Sequence, residues 1–324
     1  MNKLNPQHTT SKIQDQEKEQ GKNPANEITL QEGFKQFKYA SKVEGKAEKT
    51  LEQYSYVLEK LMNFLDPELA LKSISPTRIR EFLQYLKSKG LAKATVAIHY
   101  RVVRAFFNWL VGESLLENSP VDNIDEPKTP KKYPRVLNQG QVDKLIQAAE
   151  ENTDTWAGKR NYAITLCFVD MGLRLSELIN AKMNNLDFSE RTIKINGKGS
   201  KDRMVFFGHE TYKALRKWLD IRDKKAENPD ETIFVSQTGE KLKTRYVQHI
   251  IEDLQEEAGL EDEKVSPHVL RHTAATLAVK NGMKAFPLKR FFGWESIRTA
   301  VKYVHMDGSS VKESFTDSSP VDNL

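Results

Sequence analysis

Apolar residues in the first third of the chain recur every three or four positions, which is the spacing of one face of an α-helix. The clearest stripe runs along Leu51, Tyr54, Leu58, Leu61 and Leu65. Similar stripes predict further helices over residues 28–45, 76–89 and 92–111. Four such helices make up a helical domain over residues 28–117. Residues 1–27 are rich in Lys, Glu, Gln and Asn, so we predict a disordered tail there.

A proline-rich segment separates this domain from the rest of the chain. Residues 119–135 contain four prolines and no apolar periodicity, which predicts an extended linker over residues 118–135. Beyond it, apolar stripes predict helices near 138–151, 157–171, 209–224, 243–258, 266–281, 284–292 and 296–304. Two β-type runs around a Gly- and Lys-rich turn predict a hairpin within 191–208, with 232–236 as a possible further strand.

The predicted fold class is therefore mainly α with a small β-sheet. A helical N-terminal domain is followed by a mixed α+β domain over residues 136–306, and residues 307–324 form a C-terminal tail.

Composition narrows the class of protein. Hydrophobic residues make up 38% of the 324 and charged residues 29%, which is typical of a globular protein and not of a membrane or fibrous one. The first residues lack the apolar core of a signal peptide, and no apolar run approaches the roughly 20 residues of a bilayer span. A single cysteine, Cys167, excludes an internal disulfide and suits a reducing compartment. We therefore expect a cytoplasmic protein with no membrane partner.

The net charge of +5 permits a nucleic-acid partner without requiring one. On the helix over 92–111, Lys93, Arg101 and Arg104 fall within an arc of about 80°, opposite the apolar face. This basic face favours contacts with DNA phosphates, and a solvated polar face is the alternative. Lys131 and Lys132 add positive charge in the predicted linker.

Two segments of the second domain carry residues that suit phosphodiester chemistry. MGLRLSEL places Arg174 at a helix start with Glu177 three residues on, and PHVLRHTAAT places His268 and Arg271 on one helix face. Arginine suits the non-bridging phosphate oxygens, because its planar fork binds two of them and stays charged. A lone GLR element is weak evidence, and an isolated His-Arg pair is more often structural than functional. We predict a structural role for the neighbouring His272.

Taken together, these segments resemble the catalytic domain of the tyrosine recombinases, the phage-integrase family. That family's signature is an Arg in a GLR-SEL element, a Lys on a β-hairpin, H-x-x-R on a helix, a His or Trp, and a Tyr nine residues later. The matching residues, in the same order, are Arg174, Lys198, His268, Arg271, Trp294 and Tyr303. Most members carry His where this chain has Trp294. A looser resemblance covers residues 28–305, because the family's N-terminal helical domain clamps DNA.

The resemblance implies site-specific recombination through a 3′-phosphotyrosyl intermediate, with Tyr303 as the nucleophile. Arg174 and Arg271 would stabilise the charge that develops on the phosphate, and the ring N–H of Trp294 would donate to a phosphate oxygen. Lys198 would protonate the leaving 5′ oxygen.

Supporting roles follow from the same resemblance. His268 would assist proton transfer, and Glu177 would support Arg174. Lys201 lies in the same turn as Lys198 and is the alternative for its role. We expect Lys201 and Arg203 to contact DNA.

The resemblance also implies four protomers on two DNA duplexes. Neither a GxxxxGK[ST] element nor a metal-ligand cluster is evident in the sequence, so we expect no cofactor and no metal requirement. Two other classes stay open: a type IB topoisomerase, which relaxes supercoils by the same chemistry, and a DNA-binding protein without catalysis.

Overall fold

The chain divides into two compact units, Met1–Lys132 and Tyr133–Leu324. The computed structural model describes residues 28–130, 134–196, 202–225 and 231–306, so the predicted tails at 1–27 and 307–324 lie outside the described residues. Among the described helices, none has both the length and the apolar composition needed to cross a membrane.

The first unit is helical, as its apolar stripes predict. Its helices are α1 (Leu30–Val43), α2 (Glu48–Leu65), α3 (Pro76–Ser88) and α4 (Lys93–Gly112), with a short 3₁₀ turn at Leu71–Ser73. The start of α1 is fixed by a capping box, in which the Thr29 hydroxyl accepts from the Glu32 N–H and the Glu32 carboxylate accepts from the Thr29 N–H. Leu58 and Leu61 of the predicted stripe are completely buried in the core of this unit.

The chain that leaves α4 still packs on the first unit, although we predict a linker from residue 118. Val121 and Ile124 are buried, because these apolar side chains fit against the helical core. Two hydrogen bonds fasten the segment: the Tyr100 hydroxyl donates to the Ile124 carbonyl, and Arg80 donates to the Asn123 carbonyl. The extended part of the connection therefore begins after residue 124.

The second unit combines eight helices with one small sheet in its described residues. The helices are α5 (Gln139–Glu151), α6 (Trp156–Asp170), α7 (Leu175–Ile179), α8 (His209–Lys225), α9 (Thr244–Glu257), α10 (Pro267–Lys280), α11 (Ala285–Phe292) and α12 (Ile297–Met306). The strands are β1 (Leu186–Asp187), β2 (Thr192–Ile195) and β3 (Arg203–Phe206). All pairings are antiparallel in the order β1-β2-β3, with Thr192 opposite Phe206 and Ile195 opposite Arg203.

The predicted hairpin is β2 and β3, and its turn at 197–201 lies outside the described residues. The prediction of a further strand at 232–236 is wrong, because this segment forms only isolated bridges. The third strand of the sheet is β1 instead. Its carbonyl groups have other partners: Thr232 accepts from Arg222, and Ile233 accepts from Trp218. These side-chain hydrogen bonds replace the ladder that a strand would need.

The three C-terminal helices share an apolar cluster of their own. Buried side chains from α10, α11 and α12 meet there, among them Ala275, Leu288, Phe292 and Ala300. Tyr303 on α12 belongs to the same cluster. The packing of α12 against α10 thus sets the position of this tyrosine.

Candidate active site

Four stretches of the second unit bring the predicted polar residues into one connected site. Arg174 and Glu177 come from the start of α7, His268 and Arg271 from α10, Trp294 from the segment after α11, and Tyr303 from α12. The start of α10 is fixed locally, because the Ser266 hydroxyl accepts from the Val269 N–H and Pro267 occupies the first helical position. The cap therefore places His268 and Arg271 in the first turns of α10.

A buried carboxylate organises the arginines. The Glu177 side chain is 7% exposed and accepts 2.7 Å hydrogen bonds from both the Arg174 N–H and the Arg174 guanidinium. Arg203 donates to both carboxylate oxygens, at 2.8 and 2.9 Å. Burial alone would raise the pKa of Glu177, but the hydrogen bonds and charge of Arg203, with the bonds from Arg174, lower it to about 2. Glu177 is therefore an anion at neutral pH that three arginines share, since Arg271 Nη1 lies 3.7 Å from its Oε2.

Arg271 is buried and held by backbone carbonyl groups. Its Nη1 donates to the Gly172 carbonyl at 2.6 Å, and its Nη2 donates to the Phe292 carbonyl. Burial, together with the charge of Arg174, lowers the pKa of Arg271 to about 10, so the guanidinium stays positive at neutral pH. Arg174 is 43% exposed and also donates to the Gly293 carbonyl at 3.2 Å. Neither arginine uses all five of its N–H donors in these contacts.

Two glycines in left-handed backbone conformations shape the carbonyl groups that hold the arginines. Gly172 has φ of +57°, and a Cβ there would lie 2.3 Å from the Phe292 ring. Gly293 has φ of +60°, ends α11, and would place a Cβ 2.9 Å from Arg203 Cδ. Both positions therefore require glycine, for conformation and for space.

Tyr303 lies in an aromatic stack and is only 2% exposed. Its ring is parallel to that of Trp294 at a centroid distance of 5.0 Å, and Trp294 stacks in turn on Phe292, also at 5.0 Å. The Arg271 guanidinium lies 6.0 Å from the centre of the Trp294 ring. Burial raises the pKa of Tyr303 to about 12, even though the charge of Arg271 acts in the opposite direction.

The hydrogen-bond partner of the Tyr303 hydroxyl is His272, for which we predict a structural role from the sequence. His272 Nδ1 bonds to Tyr303 Oη, and His272 Nε2 lies 3.0 Å from His268 Nε2. His268 therefore reaches the tyrosine through His272. The i, i+4 spacing of the two histidines on α10 was the available signal, because such residues are neighbours on a helix.

Arg203 occupies a different environment from the DNA-contact position that we predict from sequence. Its side chain is 10% exposed, and its Nε donates to the Phe291 carbonyl at 2.8 Å while its other nitrogens bind Glu177. The reason is charge: a buried carboxylate needs more than one cation to offset its desolvation. Arg203 thus forms part of the support beneath Arg174.

The basic face predicted on α4 is present in the first unit. Lys93, Arg101 and Arg104 are exposed on one side of that helix, and Arg101 pairs with Glu126 at 3.3 Å. Four other predicted residues lie outside the described residues, namely Lys131, Lys132, Lys198 and Lys201.

An open cleft of the second unit adjoins the site. Arg174 and Trp294 line it, together with Lys289 and Arg290 from the end of α11. Sequence patterns did not single out these last two cations, because nothing in their spacing distinguishes them from ordinary surface residues.

Comparison with known proteins identifies the family. Residues 135–309 match the phage integrase family, and residues 34–117 match the phage integrase N-terminal SAM-like domain. The tyrosine recombinase XerC of Thermodesulfovibrio yellowstonii is 32% identical over 86% of this chain and 92% of its own length. The tyrosine recombinase XerD of Oceanobacillus iheyensis is 31% identical over 85% of this chain and 94% of its own.

Solved structures have the same fold. XerH recombinase in a post-cleavage complex with a palindromic difH substrate gives a TM-score of 0.72 at 23% identity, over 88% of this chain and 84% of that one. The Tn1549 transposon integrase in complex with transposon right end DNA gives 0.72 at 17% identity, over 91% and 100% of the two chains. The predicted fold class is confirmed, and with family matches in both units this chain belongs to the phage integrase family of tyrosine recombinases.

Proposed function

We propose that the chain is a site-specific DNA recombinase that cleaves and rejoins DNA through a covalent bond to Tyr303. The observation that carries the proposal is a single connected site: Arg174 and Arg271 share the Glu177 carboxylate, and Arg271 lies beside the aromatic stack that contains Tyr303. Family membership and the XerC and XerD relatives support the same activity.

Arg174 and Arg271 would hold the non-bridging oxygens of the scissile phosphate. Both keep unused N–H donors and a positive charge, which is what a phosphorane with developing negative charge requires. Glu177, itself held by Arg203, would restrict the Arg174 side chain to the orientation in which it binds the phosphate. Trp294 would add a ring N–H donor.

Tyr303 Oη would attack phosphorus, forming a 3′-phosphotyrosyl bond as the bond to the 5′ oxygen breaks. Lys198 would protonate that leaving oxygen, with Lys201 as the alternative donor in the same turn. The phosphodiester energy is stored in the tyrosyl ester, so rejoining to a partner strand needs no ATP. We expect no cofactor and no metal, and unchanged cleavage in the presence of a chelator.

Access to Tyr303 has to open when DNA binds, because the side chain is 2% exposed in the free chain. We therefore expect no hydrolysis of small phosphodiesters such as bis(p-nitrophenyl) phosphate by the protein alone.

DNA would also contact the exposed basic face of α4, with Lys93, Arg101 and Arg104 pairing with phosphates. Lys131 and Lys132 of the predicted linker would add further contacts with phosphates. These contacts would hold the protein on duplex DNA, and we expect that DNA to be in the cytoplasm.

A homotetramer on two paired duplexes is the assembly we propose. Exchange between two duplexes requires four strands to be cut, and each cut consumes one tyrosine nucleophile. Four chains, each supplying one Tyr303, satisfy that count.

The test uses nicked duplexes that tile the DNA flanking the gene, incubated with the protein and with a Tyr303→Phe variant. On a denaturing gel we expect a covalent protein–DNA adduct from the unmodified protein alone. Binding without an adduct would contradict the proposal and indicate a DNA-binding protein without catalysis. Relaxation of supercoiled plasmids that lack a target site would instead indicate a topoisomerase.

A further inference from the structure

Two histidines on α10 form a chain of hydrogen bonds that leads from the buried tyrosine to solvent. Tyr303 is buried, His272 is half-buried and His268 is exposed. The links are His272 Nδ1 to Tyr303 Oη, and His272 Nε2 to His268 Nε2 at 3.0 Å. The His268 and His272 rings lie 4.3 Å apart between centroids, in an edge-to-face arrangement.

The burial of the phenol fixes the direction of the hydrogen bonds. Two proton arrangements fit the contacts: Tyr303 donates to His272, or His272 donates to Tyr303. In the second arrangement the phenolic O–H needs another acceptor, and among the described residues His272 is the one partner of Tyr303 Oη. A buried O–H without an acceptor is costly. The phenol therefore donates to Nδ1, which leaves the proton of His272 on Nε2, directed at His268.

We propose that His272 is the catalytic base that takes the proton of Tyr303 and that His268 carries this proton onward to solvent. This inference rests on the proposed function, since it assigns a step of the same cleavage reaction. In that step the Tyr303 O–H bond breaks and a His272 Nδ1–H bond forms, while the His272 Nε2–H bond breaks and a His268 Nε2–H bond forms. The Tyr303 O–P bond forms as the P–O5′ bond breaks, and the 5′ oxygen takes its proton from the general acid, the role proposed above for Lys198. Rejoining runs each step in reverse.

Burial and the charges around His272 keep the proton on Tyr303 in the absence of DNA. Burial, then electrostatic interactions with His268 and Arg271 on its own helix, lower the pKa of His272 to about 4. Burial, with Arg271 and with Arg174 before α7, also lowers the pKa of His268. Tyr303 is the titratable group that meets His272 from α12, and its pKa is raised to about 12. Transfer to His272 before attack is therefore strongly unfavourable, because the phenol binds its proton far more tightly than His272 does.

A bound phosphate removes this barrier in two ways. Its negative charge offsets Arg271 and Arg174, which raises the proton affinity of both histidines. As the O–P bond forms, the phenolic oxygen loses basicity, so its proton leaves during the attack and not before it. The relay therefore acts in concert with bond formation, as general base catalysis requires.

The first test measures the tautomer of His272 in the free protein. With ¹⁵N-labelled histidine, we expect NMR to show an unprotonated Nδ1 and a protonated Nε2 for His272 at pH 7, and Tyr303→Phe to shift the Nδ1 resonance. A proton on Nδ1 would overturn the relay, because His272 would then be a donor to Tyr303. This result is independent of DNA cleavage, so it separates failure of the relay from failure of the proposed function.

The second test measures adduct formation against pH on a nicked duplex whose leaving 5′ oxygen is replaced by sulfur. A thiolate leaves without a proton, so the role of Lys198 is bypassed and the fate of the tyrosine proton is isolated. For the unmodified protein we expect a rate that is nearly flat from pH 6 to 8.5. For His272→Asn we expect a rate lower by roughly 10²- to 10⁴-fold at pH 7 that rises about tenfold per pH unit, because hydroxide then removes the proton.

Three further variants complete the design. His268→Gln should keep the flat profile at a reduced rate, since His272 still accepts the proton. His249→Gln, at an exposed histidine of α9 paired with Glu252, should match the unmodified protein. If His272→Asn does not fold, as judged by its thermal unfolding, His272→Gln takes its place. A flat profile in the folded His272 variant would overturn the proposal, because a merely structural role changes the rate without changing its dependence on pH.

Discussion

Replacing Glu177 by glutamine removes the charge that Arg174 and Arg203 pair with and keeps the size of the side chain. Glutamine resembles the protonated acid, so the pKa of Glu177 sets the magnitude of the effect. That pKa falls from 4.5 to about 2 on folding, and each unit corresponds to about 1.4 kcal/mol. We therefore expect Glu177→Gln to lower the free energy of unfolding by about 3 kcal/mol at pH 7.

The lowered pKa of Glu177 also determines how the loss of unfolding free energy depends on pH. A lowered pKa means that the stabilisation is fully present above the unfolded-state value of 4.5 and is lost as the pH falls through about 2. The difference between the unmodified protein and Glu177→Gln should therefore be constant from pH 8 to pH 5. It should shrink from pH 5 to pH 2 and vanish below that.

Urea unfolding followed by tryptophan fluorescence measures this effect. With a slope of about 2 kcal/mol per molar urea, a loss of 3 kcal/mol moves the midpoint of the second unit by about 1.5 M. Glu252→Gln is the control, because Glu252 is exposed and its ion pairs contribute less than about 1 kcal/mol. A midpoint shift for Glu177→Gln that equals the control's, or one that persists unchanged at pH 2, would refute the reasoning.

Three other substitutions test the frame of the site. Gly172→Ala should lower the free energy of unfolding by at least about 2 kcal/mol more than Gly259→Ala. Both glycines have positive φ, but only at Gly172 would the new Cβ lie 2.3 Å from an aromatic ring. Thermal unfolding measures the difference, and equal losses would exclude the clash. Arg203→Lys should slow adduct formation about tenfold, because lysine cannot bind both carboxylate oxygens of Glu177. Its DNA affinity should stay within twofold of the unmodified protein, and a parallel loss of affinity would indicate a DNA contact. Trp294→Phe keeps the aromatic stack on Tyr303 but lacks the ring N–H, so its rate of adduct formation should fall less than that of Trp294→Ala. Equal rates in the two variants would assign the loss of rate to the N–H alone.

The sequence predicts which neighbouring site residues act together, because short-range helix geometry dictates it. On a helix, residues three apart share a face, so His268 and Arg271 act together wherever α10 lies. The Ser-Pro start of that helix and the apolar stripe of α12 are equally local signals. Such patterns predict the elements and, through the family resemblance, the residues that belong to the site.

What the sequence did not predict depends on contacts between distant segments. Arg203 lies 26 residues from Glu177 along the chain, and only the tertiary fold brings the two side chains together. His272 meets Tyr303 only because α12 packs on α10. The proline content around Val121 predicts a linker, yet the segment packs on the apolar core of the first unit.

The most direct test of the central claim is to digest the covalent protein–DNA adduct and locate the modified residue by mass spectrometry. We expect the nucleotide on the peptide that contains Tyr303, joined through a 3′ phosphate, with a free 5′ hydroxyl on the released strand. Attachment to another residue, or a link through a 5′ phosphate, would contradict the account.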